Sequence, residues 1–429
     1  MLPIIVSTSI FAICIFLIFS EKLNRTIASL AGAVLMVVMG LVLQFYTEDQ
    51  AIATIDFNTI GLLLGMMILV STLEPTGFFQ YLAISVGKLS HGKPVRLLLL
   101  LGTVTTVVSM FLDNVTTVVL IAPVTILLCE ILGINAQPYL LAEALLSNTG
   151  GTATLVGDPP NILIGSASGF TFLDFLTHSL PIVIVVWSSA LGILLFLDRK
   201  ELSHKPSDLD ALMKLNPNDA LKDPKSARKI IVVLAGIILF FLLEELLHIQ
   251  PALVALAGAA IALVWIRPSI QETLKRVQWD VLIFFAALFV VIGGMQSAGV
   301  FDGFVNLASQ MKGWPPVLLG LILLWVVGLL SAVVDNVPIT IALIPVIQAL
   351  GNAGIPANAL WWALVFGAGF GGNGTIIGAT ANIVVSSLSE KTRNPITPKV
   401  WNKRGLPVMV GTLIVAGLCY LLLFNFLSK

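Results

Sequence analysis

Phe111-Leu112-Asp113-Asn114-Val115 and Val333-Val334-Asp335-Asn336-Val337 are two versions of one string, and their reading decides the fold. Each sets an acid and an amide inside a stretch otherwise apolar enough for hydrocarbon. Each is followed by a proline at the same distance, Pro123 and Pro345, and 222 residues separate both pairs. An ionisable side chain at membrane depth is expensive and calls for a structural or functional reason. A repeated one calls for the same reason twice.

The rest of the chain supplies the hydrocarbon. Of 429 residues, 57% are hydrophobic and 11% charged, with mean hydropathy +1.01. Soluble domains carry about 25% charged residues. Apolar runs close to the ~20 residues that span a bilayer recur from end to end, so the chain reads as an all-α polytopic membrane protein. Cys14, Cys129 and Cys419 are scattered, with no metal-ligand or disulfide spacing. The first run, Pro3 to Phe19, has neither a basic leader nor a small-residue cleavage site, and reads as a retained helix. No metal, cofactor or nucleic-acid partner is expected.

Helices are expected over Pro3 to Ser20, Ile27 to Phe45 and Thr59 to Leu73. The break at Glu74-Pro75-Thr76-Gly77 leads into an amphipathic stretch, Phe78 to Leu89, suited to the membrane interface. Leu97 to Leu132 is too short for two full spans. It suits a re-entrant hairpin of two half-helices with Asp113-Asn114 at the tip, where both residue types are good N-caps. The next span is interrupted by residues 148–161, and Pro159-Pro160 cannot sit inside a regular helix. Leu180 to Leu197 closes a first unit, residues 1–198. Residues 199–229 form a hydrophilic linker with eight Lys or Arg.

Residues 230–429 repeat this plan, with a second hairpin tip near 335–336 and a second break over 371–382. Leu30-Ala31-Gly32-Ala33 matches Leu256-Ala257-Gly258-Ala259, Gly77 matches Gly299, and Thr154 to Asn161 matches Thr375 to Asn382. Each unit has five crossings and one hairpin. An odd number inverts the second unit relative to the first. With the N-terminus outside, only Lys312 and Lys429 of the 23 Lys and Arg fall outside, as the positive-inside rule requires. Both termini are then outside, the linker is cytoplasmic and the hairpins enter from opposite faces. The expected home is a bacterial inner membrane.

Inverted repeats with broken helices are the signature of a secondary transporter. Irregular backbone at that depth has to line a cavity or be buried in protein, and the half-helix N-termini would point into the cavity. Asn114, Thr117, Asn148, Thr149, Thr152, Asn161, Asn336, Asn373, Thr375, Thr380 and Asn382 are the candidate substrate-binding groups. Asp113, Asp335 and Asp158 are the candidate proton-coupling acids. Each has a plainer reading. Asp113 and Asp335 can be helix caps, the asparagines can satisfy loop backbone, and Asp158 can cap the break, although its counterpart is Ala379. Gly150, Gly151, Gly371, Gly372 and Gly374 read as turn or close-packing residues. Glu74, Glu143, Glu130 and Glu244 are weaker candidates. No nucleophile–base pair stands out, which argues against an intramembrane enzyme. The acids disfavour an anionic substrate and suit a cation, or a neutral solute exchanged for protons.

At Asp113 to Val118 (Asp-Asn-Val-Thr-Thr-Val) and Gly157 to Asn161 (Gly-Asp-Pro-Pro-Asn) the chain resembles the arsenite permease branch of the ion transporter superfamily, which also holds sodium/proton antiporters and P-protein-like carriers. The resemblance spans nearly the whole chain. It implies a scaffold and a mobile transport domain, and efflux of arsenite or antimonite in exchange for protons. Sodium/proton antiport is the alternative. A cytoplasmic ATPase docking on residues 199–229 is a further implied partner. Asp-Asn replaces the Ser-Asn-Thr of the dicarboxylate branch, which argues against a dicarboxylate carrier.

Overall fold

The structure is a computed structural model that describes residues 1–19, 23–204, 206–301, 303 and 313–429. Ser20 and Lys312 lie outside the described residues. The chain is all-helical, and among the described residues six helices are long and apolar enough to cross a membrane. Large apolar side chains such as Phe16, Val42, Phe196 and Val264 face outward, which suits lipid and would be a liability in water.

The first repeat begins with α1 (Leu2–Phe19), α2 (Arg25–Val42), α3 (Phe57–Leu73) and the amphipathic α4 (Phe78–Leu89). The hairpin follows as α5 (Pro94–Ser109) and α6 (Asn114–Leu132), then the broken helix as α7 (Gln137–Gly151) and α8 (Pro159–Ser168), and α9 (Leu180–Leu197) ends the unit. The second repeat runs α10 (Pro224–Leu242), α11 (Pro251–Ile266) and α12 (Trp279–Ser297), then a hairpin of α13 (Pro316–Ser331) and α14 (Asn336–Asn352). Its broken helix is α15 (Asn358–Gly371) and α16 (Thr380–Ser389), and α17 (Pro398–Leu422) closes the chain. Gly77 and Gly299 both take left-handed backbone, at φ +79° and +80°, where only glycine is unstrained.

The two units are not two separate bodies. Their helices interleave into two bundles. In one, α3 packs on α11 and α12 on α2, with α1 and α10 alongside. Small residues let these helices close up. A Cβ on Gly65 would lie 2.6 Å from the Ala255 backbone, the contact style of membrane helices. The other bundle holds both hairpins and both broken helices. There α5 packs on α7 and α13 on α15, and the units are laced together because α16 packs on α6 and α14 on α8.

Two expectations change in detail. The hairpin arms hold 16 and 19 residues in the first repeat and 16 and 17 in the second. At ~1.5 Å per residue they exceed half of a ~30 Å hydrocarbon layer. The linker is also partly folded. Asp223 caps α10 through Ser226 N, Lys88 Nζ donates to Leu215 O at 2.7 Å, and Asp223 N donates to Thr76 O at 3.2 Å.

Candidate functional site

Both hairpins turn at an aspartate that restarts the helix. Asp113 Oδ1 accepts from Thr116 N at 2.8 Å and its Oδ2 from Thr116 Oγ1 at 2.6 Å. Asp335 Oδ1 accepts from Val337 N at 3.1 Å. These caps satisfy amide groups that a helix start leaves without partners.

The broken helices are braced by one device used twice. Asn161 Nδ2 donates to Gly151 O at 2.9 Å and Thr154 O at 2.8 Å. Asn382 Nδ2 donates to Gly372 O at 2.8 Å and Thr375 O at 2.9 Å. The threonines tie each break to the neighbouring hairpin. Thr154 Oγ1 bonds Met110 O, and Thr375 Oγ1 donates to Ala332 O at 2.5 Å. Ser109 to Ser147 O at 2.8 Å and Ser331 to Ala368 O at 2.9 Å complete the set. Carbonyls freed by the break therefore find partners inside protein, as membrane depth demands. Glycine is needed where the break folds back, since a Cβ on Gly157 would lie 2.6 Å from Gly151 O, and one on Gly378 2.6 Å from Gly372 O.

Between the two breaks the amides form a chain. Asn114 Nδ2 donates to Asn148 Oδ1 at 3.0 Å, and Asn148 Nδ2 to Asn373 Oδ1 at 3.0 Å and Asn382 Oδ1 at 2.9 Å. Asn373 Nδ2 reaches Thr149 Oγ1 at 3.3 Å. The carboxyl of Asp158 makes no cap bond to α8. It accepts instead from Asn336 Nδ2, at the tip of the other hairpin, at 2.9 Å. Ala379 holds the same extended backbone at φ −153°, ψ 143° against −144°, 134° for Asp158. The fold therefore does not require the acid.

A cavity of about 270 Å³ lies between the bundles. Asp113, Asn114, Asp158, Asp335, Asn336 and Thr380 line it on the hairpin side. Thr117, Asn148, Thr149, Thr152, Asn161, Asn373, Thr375 and Asn382 do not. The last group serves the braces and the amide chain, apart from Thr152, whose Oγ1 donates back to Asn148 O at 3.0 Å, and Thr117, whose buried Oγ1 has no partner among the described residues. The opposite wall comes from the α2–α3–α12 bundle. Met66, Met67, Phe284 and Phe285 make it apolar, and Arg25, Glu74, Arg276 and Gln278 make its rim polar. Those four lie at chain positions of one end of the bundle, the end that carries the basic loops. Glu143 is buried elsewhere, in the α6–α7 core, bonded to Thr125.

Arg25, Thr116 and Gln278 are site residues that the sequence reading did not select. Arg25 Nη1 donates to Thr380 Oγ1 at 3.2 Å and lies 3.8 Å from Asp335 Oδ2, and Gln278 Nε2 donates to Thr116 Oγ1 at 3.2 Å. Thr116, three residues after a capping aspartate, carried a usable local signal. Arg25 and Gln278 carried none, because their partners are 310 and 162 residues away.

Two interleaved bundles, a pair of broken helices and a polar cavity between them define a membrane transporter. The family agrees. A model described as "Citrate transporter" matches residues 15–367, and the chain belongs to that family. It is 39% identical over 421 residues to the "46 kDa membrane protein" of Mycobacterium leprae, covering 96% of this chain and 97% of that one. It is 34% identical to an uncharacterized transporter of Synechocystis, covering 97% of each chain. The human P protein is 30% identical over 97% of this chain and 59% of its own length, in line with the expected kinship to P-protein-like carriers. The matched family is described by citrate, and the arsenite permease branch is not what it identifies. The Alcanivorax borkumensis YdaH transporter has a similar fold, with TM-score 0.65 at 16% identity over 94% of this chain and 99% of that one. That likeness speaks for fold alone.

Proposed function

We propose that the chain is a proton-coupled antiporter that exchanges protons, held by Asp113, Asp158 and Asp335, for a small solute without net negative charge. The observation that carries this is the bond from Asn336 to Asp158, an acid the fold does not need, at the meeting of the two hairpin tips. Three aspartates and Glu74 line the cavity against Arg25 and Arg276. A free tricarboxylate would meet more negative than positive charge there. Sodium suits this lining best. All three aspartates face the cavity, whereas most of the amides that would suit an uncharged triol are committed to the braces and the amide chain. Arsenite or antimonite efflux is the second reading, supported by Asn114, Asn336, Thr116 and Thr380, which still face the cavity.

The setting that goes with this is a bacterial inner membrane with the basic loops and residues 199–229 in the cytoplasm. The cavity would then open inward. The test is everted vesicles with a pH-sensitive dye and an imposed proton gradient. Sodium addition should release protons. A response to arsenite alone would favour the second reading, and a response to citrate alone would refute both.

A further inference from the structure

Arg25 is not explained by the fold that surrounds it. It opens α2, yet the cap there is made by Asn24, whose side chain accepts from Thr26 N at 2.9 Å. Its guanidinium leaves its own bundle and crosses to the other. There it bridges Thr380 Oγ1 and Asp335 Oδ2, while its Cζ stays 5.5 Å from the centre of the Phe284 ring of its own bundle. The Thr380 hydroxyl donates to the same Asp335 oxygen at 2.7 Å. One carboxylate oxygen thus carries a hydroxyl and a cation held on a neighbouring body.

Among the described residues the inverted site has no such cation. Asp113 accepts from the backbone N and the hydroxyl of Thr116, and the group that reaches Thr116 from the other bundle is the neutral amide of Gln278. So the two hairpin tips are equivalent in backbone and unequal in charge. Other charged groups on the same cavity are Asp158, which reaches Asp335 through the neighbouring Asn336, Asp113 from the first hairpin, and Glu74 and Arg276 at the rim.

We propose that Arg25 is a tethered competitor at the transport site: its guanidinium occupies Asp335 when the cavity is open and empty, and a proton or the transported cation has to displace it. This deepens the antiport reading above and rests on it. One nitrogen, Nη1, makes both contacts, and a delocalised, weakly hydrated guanidinium suits a site between two bundles better than a compact lysine ammonium would. Displacement also loosens a contact between the bundles. Occupancy of Asp335 and relative freedom of the bundles are then linked through one side chain, and a ligand can shift such an equilibrium only by binding its two states unequally. Specificity follows as well, because a solute too weakly cationic to displace a guanidinium cannot load the site.

The experiment uses the purified full chain in proteoliposomes and in detergent. Arg25→Gln leaves Asp335 without its counter-cation beside Asp158 and Asp113. Half-maximal flux should then occur at about a tenfold lower proton concentration, one unit higher in pH. Arg25→Lys should fall between the two and serves if Arg25→Gln does not fold. A profile unmoved in both variants overturns the proposal. A second readout needs no flux. Melting temperature is followed against pH for wild type, Arg25→Gln, Asp335→Asn and the double variant. The four melting temperatures should show coupling between the two positions at high pH that is lost on acidification, and Arg25→Gln should change nothing once Asp335 is Asn. Additive effects at every pH overturn it. If no solute drives flux in wild type, the antiport reading fails while the melting cycle still decides whether Arg25 and Asp335 are coupled.

Discussion

Asn161→Ala and Asn382→Ala remove the same brace from the two halves, and the structure ranks their consequences. Asn161 Nδ2 serves two buried carbonyls, Gly151 O and Thr154 O. A typical net hydrogen bond contributes about 1 kcal/mol, and an abandoned buried partner costs about 1–3. Side-chain bonds in membrane proteins measure lower, about 0.6 kcal/mol on average. Two lost bonds therefore predict a destabilisation of about 1–3 kcal/mol for Asn161→Ala, using both scales. Asn382→Ala loses the equivalent pair and also the Oδ1 that accepts from Asn148. It should cost roughly 1 kcal/mol more. Asn161→Asp should be worse than Asn161→Ala, because it sets an acceptor against two carbonyls. Reversible unfolding in mixed micelles, titrated with sodium dodecyl sulfate, reads all three. Variants as stable as wild type would refute the brace, and Asn161→Ala costing more than Asn382→Ala would refute the ranking.

Other predictions follow from single contacts. Gly157→Ala and Gly378→Ala each place a Cβ 2.6 Å from a carbonyl oxygen of the same break, and each should destabilise by about 1–3 kcal/mol in the same titration, as overpacking does. Val119 is exposed and lines the cavity. A cysteine there should react with a membrane-impermeant maleimide in everted vesicles and stay protected in intact cells, and the reverse pattern would turn the proposed orientation over. In the linker, hydrogen bonds from the Ser226 side chain and backbone hold the Asp223 carboxyl below the usual carboxylate range. Its cap on α10 is intact above about pH 4, the ordinary carboxylate value, and is lost as pH falls through the lower folded value. The protection of the first-turn amides of α10, with exchange corrected for its intrinsic pH dependence, should therefore fall on acidification below that point, and in Asp223→Asn it should not change with pH.

Much of this architecture could be read from local sequence. The paired acids mark the hairpin tips because a helix restarting in hydrocarbon needs a cap, and both aspartates supply it. Pro159-Pro160 marks the first break because those residues cannot continue a helix, and the match of Thr154–Asn161 to Thr375–Asn382 carries the inference to the second. The division into bundles was not legible. It depends on α3 meeting α11 and α2 meeting α12 across the repeat boundary, and such contacts leave no periodic trace. The asparagines were legible as important and not as to role. An amide beside a break can bind a solute or hold the backbone, and at Asn161 and Asn382 the nearest acceptors are backbone carbonyls. Asp158 was the reverse case. Its mismatch with Ala379 already separated it from the fold, and the structure adds the partner, Asn336.

If protons enter and leave through the Asp113–Asp158–Asp335 cavity, Asp158→Ala should stop them. The substitution copies the residue the second half already has, on matching backbone, so the variant should fold, reach the membrane and melt within about 1 kcal/mol of wild type. In everted vesicles with an imposed proton gradient, wild type should release protons on addition of sodium, or of arsenite under the second reading, and Asp158→Ala at equal membrane level should not. Proton exchange in the variant indistinguishable from wild type would contradict the account.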